Sequence, residues 1–240
     1  MSSSRFSLLL LGLGPAARVL EVSSDGGARA RALRAAGALP LCVRASREEA
    51  AQLREAGFEA AAIEDLVASP SFDAALVSAA LGRTGGGEWV VSSLAPLLAR
   101  VAGAVKPGGL VVLALPNPLL TWPLVGAAAR RLQGQGGAEN GEVGPLSFRL
   151  PGERALRRSL EQAGLAEVRV FAALPSAERP KFLVPLGDRR VVRYFFAHLV
   201  PRARERWKRL AVRAAEALPA SFFERLAPAY EACGRREGRP

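Results

Sequence analysis

Glu21 is the residue whose type and setting first suggest chemistry. It lies in a short apolar run, Val19-Leu-Glu-Val22, followed by Ser23-Ser-Asp-Gly-Gly27 and then by a stretch of Ala, Arg and Leu closed by Gly37. Strand, small-residue turn and amphipathic helix in that order bring backbone N–H groups together at a helix N-terminus, a geometry suited to an anionic or polar ligand. Glu21 adds a carboxylate acceptor at the strand end. The remaining reactive side chains are sparse. Cys42 and Cys233 are the only cysteines and lie far apart, so no zinc site or disulfide framework is indicated and a reducing compartment fits best. Cys42 falls in an apolar strand pattern and is expected in the core, and Cys233 is expected to be exposed near the tail. His198, the only histidine, is surrounded by aromatic residues and reads as a packing residue.

The elements that must position Glu21 follow from hydrophobic runs alternating with helical patterns. After Gly37, Leu39–Val43 reads as a second strand, 47–57 as a helix and Phe58–Ile63 as a third strand. Phe72–Leu81 gives a fourth strand, Trp89–Val105 a helix, and Leu110–Leu115 a fifth strand after Lys106-Pro-Gly-Gly109. Residues 133–144 read as a flexible insert, and Val168–Leu174 and Phe182–Leu186 as two further strands. The alternation predicts an α/β, Rossmann-like, mostly parallel seven-stranded sheet with helices on both faces. Val19–Val22 is central in it, with 74–78 and 110–115 on one side and strands two and three on the other.

Lys-Pro-Gly-Gly before an apolar strand, Phe72-Asp73 at the fourth strand, and an acid followed by a glycine-bearing turn resemble the class I S-adenosylmethionine-dependent methyltransferases. The resemblance covers residues 15–186 and implies that 148–164 is the helix before strand six, Val168–Leu174, and that Phe182–Leu186 is an antiparallel last strand. It implies S-adenosylmethionine as cofactor, contacted from Glu21, Ser23, Ser24, Asp25, Gly27, Arg44, Ile63 and Ser78. The family's acid-x-Gly-x-Gly-x-Gly motif is met here by Glu21, Ser23, Asp25 and Gly27, so two of three glycines are replaced. The acid that accepts from the cofactor ribose corresponds to Arg44, a cation that only donates. In Ala62-Ile-Glu-Asp-Leu66 the frame of the adenine-contacting segment is kept and its acid is missing, with Glu64 and Asp65 as the nearby carboxylates. Ser78 is the hydroxyl left at the end of strand four, and no catalytic residue is assigned. A framework that is kept beneath an altered ligand shell implies a degenerate methyltransferase-like protein, non-catalytic or without S-adenosylmethionine binding, that acts as a binding or scaffold module. The alternatives are an active but divergent methyltransferase on a small-molecule, glycan or lipid-type acceptor, and an NAD(P)-type dinucleotide binder. The latter rests on Gly12-Leu-Gly-Pro-Ala-Ala17, a Gly-x-Gly-x-x-Ala fingerprint.

Charge separates the tail from the rest. Of the net +11, residues 178–240 hold 15 Arg or Lys against 7 acids, a net of +8, which leaves +3 for the first 177 residues. The expected division is therefore a methyltransferase-like domain over 1–187 and a basic helical C-terminal extension over 188–240. Two amphipathic patterns within 188–218, with Trp207 and Phe195 on apolar faces and Arg opposite, fit docking on the domain itself, a partner protein or an acidic membrane surface. Nucleic acid fits less well. No apolar run reaches membrane-spanning length, and a cytoplasmic protein, peripheral to the membrane if the tail binds one, is expected.

Overall fold

The computed structural model describes residues 12–23, 26–78, 91–116, 153–174, 180, 182–188, 190, 191, 194, 227 and 229–238. Their strands are β1 (Arg18–Val22), β2 (Leu39–Arg44), β3 (Glu59–Ala62), β4 (Phe72–Ser78), β5 (Val105–Pro116), β6 (Leu165–Leu174), β7 (Phe182–Pro185) and β8 (Ala229–Arg236). Their helices are α1 (Ala28–Ala35), α2 (Arg47–Glu55), α3 (Val91–Ala104) and α4 (Glu153–Gln162). One sheet joins all the strands in the order β3-β2-β1-β4-β5-β8-β6-β7. β1 to β5 run parallel, and β8 and β7 run antiparallel to their neighbours. The central place of β1 and its flanking strands are as the sequence predicts.

Each face of the sheet is covered by the helices its side chains demand. Leu33 and Ala30 of α1 and Ala50 and Leu53 of α2 bury against Val19, Cys42 and Ala60 on one face. Leu98 and Val101 of α3 and Leu156 and Leu160 of α4 meet Leu20, Val22, Val77 and Leu113 on the other. Helix α2 is started by Ser46, whose side chain accepts from the Glu49 amide at 3.2 Å and so satisfies one orphan donor of the first turn.

The N-terminal edge of the parallel strands is tied together by Asp73. Its carboxylate accepts from the Arg18 amide at 2.8 Å and from Lys106 Nζ at 2.7 Å, linking the starts of β1, β4 and β5. Gly109 permits that closeness, since a Cβ there would lie 2.5 Å from Val105 Cγ1 and 2.7 Å from the Asp73 carbonyl oxygen.

Two expectations are corrected. The sheet has eight strands among the described residues rather than seven: β8, which the sequence does not announce, lies beside β5, and Phe182–Pro185 pairs antiparallel with β6 at the outer edge. A boundary at 187/188 therefore cuts the sheet, because residues 229–236 of the expected helical extension supply an interior strand. Arg235 Nη1 donates to the Gly108 carbonyl at 3.0 Å, and Arg236 Nη1 donates to the carbonyls of Gly103, at 2.9 Å, and Val105. Part of the tail's positive charge thus holds the α3–β5 junction. Cys233, expected to be exposed, is half-buried in β8, and burial pushes its thiol upward from the ordinary value. Cys42 is buried as expected. The insert at 133–144, His198, Trp207 and most of 188–218 lie outside the described residues.

The Lys106 hydrogen bond, followed by the Arg18 amide, holds the Asp73 carboxyl below its ordinary value of 3.8. A lowered folded pKa means that its contribution to stability is present above that ordinary value and is lost as pH falls through the folded one. Asp73→Asn is expected to lower stability at pH 7 by about 1 kcal/mol or less, since the pair is partly solvated. The gap in melting temperature between wild type and variant, followed by circular dichroism, should close as the pH drops below about 4.

Candidate functional site

The strand order reverses between β1 and β4, and in open α/β sheets the crevice beyond the carboxyl ends at such a point is where ligands bind. The buried polar and charged residues among those described are Glu21, Ser23, Arg44, Ser78 and Glu231. They converge on this edge. Glu21 lies near the end of β1 with Ser23 just past it, while Arg44 ends β2 and Ser78 ends β4. β8 runs the other way, so Glu231, near its start, lies beside the end of β5. Ser78 pairs with Ala114 and Ala114 with Glu231, which puts both polar side chains on one face.

Glu21 and Arg44 form the central contact. Arg44 Nη1 donates to Glu21 Oε2 at 2.9 Å and to its neighbour's carbonyl, that of Val43, at 2.8 Å, with 2% and 0% of the Arg44 and Glu21 side chains exposed. Arg44 Nη2 is buried and finds no acceptor among the described residues. Removing two charges from water costs several kcal/mol per ion, and only close geometry recovers it, so such a pair organises a site more than it stabilises one.

The turn after β1 keeps one glycine for a structural reason. Gly27 caps α1 at φ 84, a left-handed conformation, and a Cβ there would approach Leu53 Cδ2 to 3.2 Å. Ser24 and Asp25 lie outside the described residues. Ile63 opens a short 3-10 turn, and its carbonyl accepts from Arg100 Nη1 at 2.8 Å. The carboxylates beside it are committed elsewhere: Arg47 Nε lies 2.9 Å from Glu64 Oε1, and Arg47 Nη2 lies 2.9 Å from Asp65 Oδ1. The hydrogen bond from Arg47 also lowers the Asp65 pKa.

The structure thus gathers Glu21, Ser23, Arg44 and Ser78 at one sheet edge, with Gly27 at the neighbouring helix start and Ile63 after β3. Sequence reasoning missed Glu231, because its strand carries no apolar alternation. The dinucleotide reading of Gly12–Ala17 is overturned. Those residues form turns that lead into β1 at its N-terminal end, with the Ala16 amide on the Gly37 carbonyl at 2.8 Å, whereas a phosphate-binding glycine turn must follow the central strand. No group of metal-ligating side chains is present among the described residues.

Solved structures of methyltransferases share this architecture. A SAM-dependent methyltransferase from Archaeoglobus fulgidus is 15% identical, with 98% of this chain and 92% of that one covered and a TM-score of 0.60. One from Methanosarcina mazei is 13% identical, with 97% and 98% covered and a TM-score of 0.54. Phosphoethanolamine N-methyltransferase 2 of Haemonchus contortus, solved with phosphomonomethylethanolamine and S-adenosylhomocysteine, is 13% identical with a TM-score of 0.52, and the chain spans 52% of its length. No family model matches the sequence, and no curated protein matches it. The fold is that of the class I SAM-dependent methyltransferases.

At the end of β2 the residue present does not fit that cofactor. A ribose diol donates two hydrogen bonds, and the β2 terminus offers a guanidinium with no acceptor, already engaged with the Glu21 carboxylate. Glu21→Gln should lower stability by about 3 kcal/mol, because it leaves a buried cation without its counter-charge. Glu21→Leu combined with Arg44→Met should return most of that stability, and urea unfolding of the two variants checks the difference.

Proposed function

We propose that this chain is a methyltransferase-like module that has given up S-adenosylmethionine and works by binding rather than by methyl transfer. The observation that supports this is the buried Glu21–Arg44 pair, which places a cation where the fold's cofactor needs an acceptor. Removing two or three polar interactions with the cofactor, at about 1 kcal/mol each, takes away one or more decades of affinity. Isothermal titration with S-adenosylmethionine or S-adenosylhomocysteine is expected to give no binding, or binding weaker than about 100 µM. Micromolar binding would reinstate an enzyme.

A divergent methyltransferase on a small-molecule, glycan or lipid-type acceptor is the second reading, favoured by the retained Gly27 turn and the Asp73–Lys106 tie. Methyl transfer needs cofactor and nucleophile held in line more than it needs an acid or base, so the lack of an evident catalytic pair weighs little against it.

The proposed partner is a protein or an acidic membrane met by the basic segment 188–218. Among the described residues no helix is long and apolar enough to cross a membrane. Sedimentation with vesicles containing phosphatidylserine is expected to carry the protein down at low salt and to fail as salt rises. Salt-independent absence of binding would remove the membrane from this reading.

A further inference from the structure

We infer that the adenosyl site of this fold survives in a latent form and that Arg44 is the residue that blocks its ribose end. This rests on the reading of a lost cofactor and adds a location for the loss. The frame beneath the site is intact: β1, β2 and β4 keep their parallel register up to the crevice, Gly27 keeps its left-handed turn, and the sheet order reverses where a nucleoside would lie.

The departures on that frame are unequal. Ser23 adds a Cβ and a hydroxyl, Asp25 puts a carboxylate at a second glycine position and lies outside the described residues, and the segment at Ala62–Ile63 lacks an acid but adds no charge. Arg44 differs in kind. It reverses the charge at the end of β2, replaces an acceptor of two hydrogen bonds with a group that only donates, and ties up an oxygen of Glu21. Its Nη1 also donates to the Val43 carbonyl, so the guanidinium is held by its own strand as well as by Glu21. Nη2 is buried with no acceptor among the described residues. In dinucleotide-binding doubly wound folds an acid near this position accepts from a free ribose hydroxyl, whereas an arginine nearby accommodates a 2′-phosphate, so Arg44 does not reproduce the contact to a free diol.

The test is S-adenosylhomocysteine titration of Arg44→Asp beside the wild type, with folding of each checked by circular dichroism. Wild type is expected to show no saturation. Arg44→Asp is expected to bind at least tenfold more tightly than wild type. Because two buried carboxylates repel, Glu21→Gln combined with Arg44→Asp serves as a second variant in which one charge is removed. A gain in either variant supports the latent site. If wild type ignores the ligand and a folded variant does so too, the inference fails while the proposed loss of cofactor stands. If wild type itself binds at micromolar concentration, both fail. If neither variant folds, Arg44 belongs to the frame rather than to the site, and the inference is likewise overturned.

Discussion

Arg44 and Glu21 face each other at 2.9 Å with almost no water reaching either side chain. The attraction between them is large only because the surroundings are poor in water, and the same dryness makes each intolerable without the other. The pair therefore fixes two strand ends together, β1 and β2, and constrains what else enters the space above them. A ligand for this edge must either leave the pair whole and use the groups around it, or supply a counter-charge in place of one partner. Ser23 and Ser78, both able to donate and accept, are the adaptable members of the set.

The opposite edge of the same strands is organised by a different logic. Asp73 gathers an amide from β1 and an ammonium from the turn before the β5 core, in a setting open to solvent, and Gly109 lets the chains approach. These interactions set the spacing of the parallel strands without touching the ligand crevice. Separation of frame and site along the strand axis lets a chain keep a fold while its binding residues drift.

Much of this architecture is legible in the sequence. Strands β1 to β5 are apolar runs punctuated by glycine, proline and helical segments, and such runs leave little choice of element. β8 is not legible, because Ala-Tyr-Glu-Ala-Cys-Gly-Arg-Arg236 is dominated by residues that favour helices or turns. Burial between β5 and β6 overrides that preference, as strand propensity depends on neighbours more than on the backbone. At the site, the oddity of Arg44 is visible as a missing acid. Its union with Glu21 is not, since the contact depends on the pairing of β1 with β2 and on which way a long side chain turns. Glu231 is hidden for the same reason as its strand.

The position of β8 bears on how the protein is made. β5 pairs with β4 and β8, and the β6–β7 hairpin is joined to the rest of the sheet through β8 alone. During vectorial synthesis β5 and β6 are complete well before residues 229–236 leave the ribosome, and both present open hydrogen-bonding edges in the meantime. From residue 186 to residue 236 is 51 residues, or roughly 3–10 s at the usual pace of about 5–20 residues per second. Until those residues are made, no described strand joins β5 to the β6–β7 hairpin, and the sheet is completed last, by a strand from the tail.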